Sequence, residues 1–569
     1  MLKPKLFTVL KDYSKEQFIN DVTAGIIVAI VAIPLSIALA IASGVSPEKG
    51  LHTAIIAGFL ISFLGGSRVQ IGGPTGAFVV IVFGILSQYG IDGLILATIM
   101  AGIILVIMGL LKLGSLIKFI PYPITTGFTS GIALTIFSTQ IKDFLGLRID
   151  SVPSEFLAKY SSYFKNIHTL NYSSLLIGLI SLAIIILWPK INKKIPGSLI
   201  ALIAATVITA VFNLNIETIG SRFGEISSAL PKFSVPDVSL SRIKELLNPA
   251  ITIALLAAIE SLLSAVVADG MIGGKHRSNM ELVAQGVANI GSGLFGGIPA
   301  TGAIARTATN IKNGGRTPIA GIVHAIVILF VMVIFMPYAK LIPLSSLAAI
   351  LIVVSYNMSE WRAFKNLMKA PKSDVAVLLI TFFLTVMVDL VVAIEVGMVL
   401  AAFLFMKRMA DVTNVKQLTD ESYEDDNNDE NELLNVDALS KYVSIYEIDG
   451  PFFFGAAEKF TEVMNEIREK PKVLIIRMRN VPAMDATAFY AFTKVYENCK
   501  MNNIKLILSS VQEQPFKVMD SYNFIERIGK DSICSNLDES IKKAKKLIEN
   551  NGIILNSGNI TKQQTANEF

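Results

Sequence analysis

A chain of 569 residues that is 52% hydrophobic and only 17% charged is not an ordinary soluble protein, which carries about a quarter charged residues. Its formal net charge of +5 is scattered through the gaps between apolar runs. That pattern excludes a nucleic-acid-binding patch and indicates a polytopic α-helical membrane protein whose loop cations set its orientation. The two cysteines, Cys499 and Cys534, show no metal-ligand spacing, and no nucleophile–base pair or phosphate loop is present, so neither a metal nor another cofactor nor an enzyme is expected.

Residues 1–20 are hydrophilic and carry Lys3, Lys5, Lys11 and Lys15. The run that follows is long enough to span and has no cleavage pattern behind it, so a cytosolic N-terminus rather than a signal peptide is expected. From 21 to 411 the chain is a series of apolar runs, near 22–43, 50–65, 74–88, 93–111, 123–145, 172–190 and 197–213. A second series lies near 248–270, 280–295, 300–313, 317–337, 343–357, 373–390 and 392–409. On a length rule of roughly 20 residues per span this predicts about fourteen transmembrane segments. The runs near 74 and 300 are too short to cross alone. Alternate loops hold the cations: Arg68, Lys112 and Lys118, Lys190, Lys193 and Lys194, Lys275 and Arg277, Lys312 and Arg316, a cluster from Arg362 to Lys372, then Lys407 and Arg408. An even number of spans with both termini cytoplasmic follows. Residues 412–437 read as an acidic linker, containing "DESYEDDNNDEN" at 420–431. From 438 to 550 strand and helix patterns alternate, as in a compact α/β domain. Residues 551–569 read as a disordered tail.

One phrase occurs twice. "IGGPTGAF" begins at Ile71 and "GGIPATGAIAR" at Gly296, and their threonines, Thr75 and Thr301, are 226 positions apart (301 − 75 = 226). Gly-Gly-Pro beside Thr-Gly-Ala cannot be ordinary helix interior, because proline lacks the donor that hydrocarbon makes obligatory. Each copy reads as an extended segment entering a half-helix, with Thr75 and Thr301 as candidate N-caps. Two helix N-termini facing one another make an anion site that needs few charged side chains. Interrupted spans at corresponding positions also mark the repeat interface of a transporter. The repeats would cover about 20–200 and 248–410, seven spans each, and an odd number makes the second copy inverted.

Arg306 follows the second copy and would be costly to bury unpaired. It either acts on the anion, pairs with a carboxylate or snorkels to the surface. Glu260, inside "AIESLLSAVVADGM", either binds a proton along with an anion or forms a salt bridge with Arg306; Ser264 lies one turn on. Pro34, with Leu35 and Leu39 behind it, should break the first span, shaping a cavity or a kink towards lipid. His52 and His324 are expected to pack or to make interface hydrogen bonds. "DGMIGGKHRSNMEL" (269–282) reads as an inner loop with a helix cap at Ser278.

Taken together, "DVTAGIIVAIVAIPLSIALAIASGV", "GGSRVQIGGPTGAF", "GFTSGIALTIFSTQIKDFLG", the 258–310 stretch through "GGIPATGAIARTATN", and "LSSLAAILIVVSYNMSEW" resemble the sulfate permease (SulP) family of anion transporters. "GPFFFGAAEKF" and "VLIIRMRNVPAMDATAF" resemble the cytosolic STAS domain of that family. The resemblance implies a fold of seven plus seven inverted spans in core and gate domains, an elevator movement, a homodimer and a bacterial plasma membrane. It also implies an anion site between the third and tenth spans, facing the first. That site would use Thr75, Gly76 and Ala77, then Thr301, Gly302, Ala303, Ile304 and Ala305, with Leu35 and Leu39 opposite. Arg306 matches an arginine of the family's anion exchangers. Glu260 and Ser264 stand where sodium-coupled bicarbonate members carry an aspartate and a threonine, and the glutamate–arginine combination departs from that sodium pattern. Phrases such as "AIESLL" and "NMSE" are similar to members that take up dicarboxylic acids, which favours proton-linked uptake of succinate, fumarate or aspartate over sulfate or bicarbonate. An anion-gated sensor signalling through the STAS domain is the alternative from another class. Asp485 and Thr487 match the region where related STAS domains carry a regulatory serine. There they either form a helix-capping turn or a phosphorylation site for a cytosolic regulator.

Overall fold

The computed structural model describes residues 2–115, 120–149, 152–153, 155–192, 195–224, 228–388, 390–418, 442–465 and 471–550. Lys118, Lys193, Lys194, the acidic 420–431 run and the 551–569 tail lie outside these. The chain divides into two units, Met1–Ala401 and Ala402–Phe569.

The first series of membrane helices is α1 (Lys15–Ala42), α2 (Pro47–Leu64), α3 (Phe78–Leu110), α4 (Tyr122–Leu145), α5 (Tyr172–Ile191) and α6 (Gly197–Val211). The second is α7 (Leu240–Ile272), α8 (Ser278–Leu294), α9 (Ile304–Lys312), α10 (Ile319–Ala339), α11 (Leu344–Met358), α12 (Lys372–Met387) and α13 (Leu390–Val412). Gly90 interrupts α3 with φ 70° and ψ −173°, so α3 is two helices end to end. Each series therefore holds seven helical segments. Six helices among the described residues are long and apolar enough to cross a membrane by length and composition. At about 1.5 Å per residue, α9 reaches less than half of a ~30 Å hydrocarbon core.

Local chemistry sets many of the helix ends. Ser14 Oγ accepts from Gln17 N (3.1 Å) at the start of α1, and Asn171 Oδ1 accepts from Ser173 N and Ser174 N at the start of α5. Both α4 and α7 end on a left-handed glycine, Gly146 and Gly273, a standard C-terminal stop. Pro34 does not break the first span. It is buried within a continuous α1, and its neighbours α2 and α10 hold the helix in place.

The helices sort into two packing groups. One joins α1, α2, α3, α7, α8, α9 and α10; the other joins α4, α5, α6, α11 and α12. Within the first group α3 and α8 touch backbone to backbone. A Cβ on Gly102 would lie 2.6 Å from Gly286 O, and one on Gly286 2.5 Å from Gly102 O. Small residues permit this approach where no hydrophobic force drives helices together in lipid.

The second unit is built on a five-stranded sheet. Its order is β3 (Asn414–Gln417), β4 (Val443–Asp449), β5 (Val473–Asn480), β6 (Lys505–Ser509), β7 (Ile533–Cys534), with β3 antiparallel and the rest parallel. The central strands read as continuous apolar runs because both faces are covered. Phe460, Phe492, Met519 and Phe524 cover one face. The helix Leu537–Glu549 covers the other through Ala544 and Ile548. One feature departs from the sequence expectation. Residues 414–417, assigned to the linker, form an edge strand, because backbone pairing with β4 outweighs their polar side chains. The stretch 513–528 is two short helices, since Asn523 is left-handed (φ 54°).

Asp485 caps the helix Ala486–Met501. Its Oδ1 accepts from Ala488 N (2.7 Å) and its Oδ2 from Phe454 N (3.0 Å). Cys499, on the same helix, is buried, and burial pushes its thiol up to about 11, so it stays an unreactive thiol at neutral pH. Asp485→Ala removes both acceptors, at a cost of about 1–2 kcal/mol. In the intact chain, maleimide labelling of Cys499, followed by mass spectrometry, is expected to speed up about 5- to 30-fold. An unchanged rate would show that the cap contributes nothing.

Candidate anion site

The site depends on how two non-helical segments satisfy their backbone in hydrocarbon. Pro74 and Pro299 lack N–H groups and lie close behind Gly-Gly pairs, and the chain is non-helical around both, between Leu64 and Phe78 and between Leu294 and Ile304. β1 (Gly72–Gly73) and β2 (Thr301–Gly302) pair antiparallel, Gly72 with Gly302 and Gly73 with Thr301. Ala303 N donates to Ile71 O (2.8 Å), and Ile71 N to Thr307 Oγ1 (3.0 Å). The approach to β1 is held by α8: Glu281 Oε2 accepts from Gly66 N (2.8 Å) and Ser67 N (3.0 Å). The approach to β2 is held by α2 and α8. Ile298 N donates to Thr53 Oγ1 (2.7 Å), and Asn289 exchanges two bonds with Ala300. The far end of α9 is secured by Asp21, which accepts from Tyr13 Oη, Gln17 Nε2, Arg316 N and Thr317.

The two half-helices start 226 residues apart (304 − 78 = 226), the same offset as their threonines. The antiparallel pairing sends them away in opposite directions, so both N-terminal ends lie toward the strand pair. Each end carries about half a positive charge. No side chain caps either one; the N-cap residues are Ala77 and Ala303. This corrects the expectation for the threonines. Both reach α7 instead. Thr75 Oγ1 donates to Glu260 Oε2 (2.8 Å) and Thr301 Oγ1 to Ala257 O (3.0 Å). Gln70 Nε2 donates to Ser261 O (3.0 Å), and Ser264 Oγ contacts Thr307 Oγ1 (3.4 Å). The 257–264 stretch of α7 is thus the common anchor of both segments. The two threonines differ because β1 precedes Thr75 in the first copy, whereas β2 includes Thr301 in the second.

Arg306 is 2% exposed, and its Nη2 donates to Pro74 O. No ion pair joins it to Glu260 among the described residues. The acid and the base grip adjacent residues, Thr75 and Pro74, of the same broken segment. Nε and Nη1 of Arg306 have no hydrogen-bond partner among the described residues. Gly73 makes room for them: its φ is +148°, and a Cβ there would lie 2.7 Å from Nη1. Gly73→Ala therefore strains the backbone and displaces the guanidinium, at about 1–3 kcal/mol. Uptake should fall about tenfold, whereas Gly84→Ala, with nothing within 4 Å of the added methyl, should leave it unchanged. Equal uptake by the two variants would refute the packing argument.

Among the remaining expected residues, Gly76, Ala77, Gly302 and Ala303 are buried. Thr75 and Glu260 are half-buried, and Ile304 and Ala305 are exposed at the start of α9. A Cβ on Gly76 would meet Ile136 on α4 (3.0 Å) and Met358 on α11 (3.1 Å), so the second packing group closes over the first copy. Leu35 is half-buried and Leu39 buried on α1, which packs against α9. Ser278 is not a cap but the first residue of α8, after Arg277. Its Oγ lies 3.0 Å from His276 Nε2, and His276 Nδ1 lies 2.7 Å from Asp269 Oδ2. Glu281, Gln285, Asn289 and Ser292, on one helix, were not among the residues expected at the site. Their signal was present: four polar residues at helical spacing within an apolar span.

Non-helical backbone buried between two series of seven helical segments, with two uncapped helix ends and a buried arginine, defines a transport protein for small anions. The sequence profile of the sulfate permease family matches residues 18–381 and that of the STAS domain residues 438–544. The Bacillus subtilis protein YvdB, assigned to sulfate transport, is 44% identical over 93% of this chain and 98% of its own length. The bicarbonate transporter BicA of Picosynechococcus is 30% identical over 92% and 94%. The solved transmembrane domain of a cyanobacterial BicA, 30% identical, covers 68% of this chain and 98% of its own, with a TM-score of 0.60. Murine Solute Carrier 26 family member A9, an anion transporter solved in the inward-facing state, shares the fold at 18% identity. It covers 96% of this chain and 94% of its own, with a TM-score of 0.85. The chain belongs to the sulfate permease family: it is a multi-pass membrane anion transporter with a C-terminal STAS domain, and not an enzyme.

Proposed function

We propose that the chain takes up a small divalent anion, sulfate or a four-carbon dicarboxylate, together with a proton. The observation that carries this is the placement of Glu260 and Arg306 on neighbouring residues of one broken segment without pairing to each other. Two helix ends of about half a charge each and one guanidinium supply roughly two positive charges. An ionised Glu260 cancels one of them, and a proton on it restores the match to a divalent guest. Anion and proton then favour each other's binding, as linkage requires. The names of the relatives, sulfate and bicarbonate, support the oxyanion class; the dicarboxylate arm comes from the residue-level likeness. Substrate contacts are assigned to Thr75, Gly76, Ala77, Thr301, Gly302, Ala303, Ile304, Ala305 and Arg306, with Leu35 and Leu39 opposite. Glu260 carries the proton and Ser264 assists it.

Movement is assigned to the packing group of α1–α3 and α7–α10 sliding as an elevator against the other group. The chain works as a homodimer in a bacterial plasma membrane with both termini cytoplasmic. Thr487, exposed on the first turn of its helix, is the regulatory position; a phosphate there adds nearly two negative charges.

The test uses purified protein in liposomes, with labelled sulfate, succinate and bicarbonate and an imposed inward proton gradient. Sulfate or succinate should accumulate, with no requirement for sodium. Bicarbonate uptake alone, indifferent to the gradient, would replace the divalent reading with a monovalent one. Saturable binding without flux would favour the sensor.

A further inference from the structure

The stretch ahead of α1 is fastened to the first unit by its backbone. Residues 2–11, "LKPKLFTVLK", carry three lysines and no acid and include the short helix Leu6–Val9. Lys5 N donates to Gly65 O (2.9 Å), and Arg277 Nη1 donates to Lys3 O (2.7 Å). Arg277 N in turn donates to Gly66 O (3.0 Å). Leu6 is buried, whereas Leu2, Phe7 and Leu10 are exposed. Single exposed apolar residues need no explanation, but these continue an aromatic strip on a membrane helix. Phe59, exposed on α2, stacks on Phe63 one turn further along (5.7 Å between centroids, 9° between planes). Phe7 meets Phe63 edge-on (6.1 Å, 79°). The strip runs from the outward face of α2 onto the N-terminal segment, which places the segment where hydrocarbon gives way to headgroups.

The same end of the unit carries uncompensated charge. Among the described residues no ion pair engages Lys3, Lys5, Lys11, Arg68, Lys275 or Arg277. The nearby acids are used otherwise: Asp269 holds His276, and Glu281 holds Gly66 N and Ser67 N.

We propose that residues 2–11 are a seat for anionic lipid on the bilayer face where the N-terminus lies. Leu2, Phe7 and Leu10 enter the acyl boundary, and Lys3, Lys5 and Lys11 meet headgroup phosphates. A basic segment with an apolar side combines the two attractions that hold a chain at an anionic surface. The seat bears on transport because the segment is tied to Gly65 and, through Arg277, to Gly66, where the approach to β1 begins. Lipid that steadies the segment steadies that approach.

Native mass spectrometry of the intact chain, titrated with phosphatidylglycerol or phosphatidylcholine, tests the seat whichever anion is carried. Each variant is first checked for monodispersity and thermal melting. The triple variant K3Q/K5Q/K11Q should bind phosphatidylglycerol about fivefold more weakly than wild type, with phosphatidylcholine binding unchanged. The difference between the two proteins isolates this seat from lipid bound elsewhere. The charge-keeping variant K3R/K5R/K11R should bind as wild type, and Leu2→Ser with Phe7→Ser should weaken both lipids alike. If the triple variant does not fold, K11Q, at an exposed position, carries the same comparison with a smaller loss of about twofold. In liposomes of phosphatidylcholine and phosphatidylglycerol at about 2:1, wild-type uptake of labelled sulfate should exceed that in phosphatidylcholine alone about threefold. The triple variant should run at the wild-type phosphatidylcholine rate in both. Undiminished phosphatidylglycerol binding by a folded variant overturns the proposal. So does displacement of the lipid by an equal concentration of soluble glycerol phosphate, which would mark a site for free anions. An equal fall in the variant's uptake in both kinds of vesicle would place the lysines in the protein's own fold and overturn it too.

Discussion

Arg306→Ala is expected to raise the KM for anion uptake about 10- to 100-fold, the worth of one charged hydrogen-bonding partner. The fold should survive. Breaking a buried ion pair costs about 3–5 kcal/mol because it strands the opposite charge. Here no carboxylate is stranded: the guanidinium's protein partner is the Pro74 carbonyl, and removing a large buried cation offsets the loss of that bond. Thermal melting of the purified variant should therefore stay within a few degrees of wild type. Arg306→Lys should recover only part of the affinity, because an ammonium cannot keep the planar fork that reaches Pro74 O and leaves Nε and Nη1 to other partners. Unchanged KM in the alanine variant would remove the arginine from the site.

Glu260→Gln is expected to abolish the pH dependence of uptake while preserving flux. The amide keeps an acceptor for Thr75 Oγ1, so the 2.8 Å bond and the anchoring of the first segment to α7 survive. What is lost is the one-unit change of charge. Wild-type uptake of a divalent anion should rise several-fold as the pH falls from 8 to 6, because a proton on the acid removes a negative charge from beside the guest; the variant should show a flat profile. The sign is diagnostic. A rise in uptake with increasing pH in wild type would mean that the ionised acid, not the neutral one, is the competent form. A variant that keeps the wild-type slope would move the proton elsewhere. Thr75→Val separates position from charge, since it frees the acid without neutralising it.

Much of this was readable from local chemistry. The two Gly-Gly-Pro-type phrases leave the helix as expected, and their spacing of 226 residues reappeared as the spacing of the two half-helix starts. The alternation after residue 438 became the parallel sheet β4–β7. Other features misled. Pro34 looked like a break and sits in an unbroken helix, because neighbouring helices hold α1 on both sides of it. Residues 414–417 looked like linker and became a strand, since an edge strand needs only backbone partners. The threonines looked like caps and are not: the N-cap positions fall two residues further on, at Ala77 and Ala303, and the threonine hydroxyls donate to α7.

The sequence by itself determined which stretches could span, where the two broken segments fell and where strand and helix alternate in the soluble unit. These are constraints acting within a few residues: a missing N–H, an apolar length, a periodicity. The tertiary structure alone decided what the site is made of. Thr75 meets Glu260 across 185 residues, Arg306 meets Pro74 across 232, and Thr53 secures Ile298 across 245. Which of two equivalent threonines enters a strand depends on the register of one two-residue pairing. No local preference encodes that register. It is set by the packing of helices brought together from both halves of the chain, which leaves each buried polar group only the partner that geometry supplies.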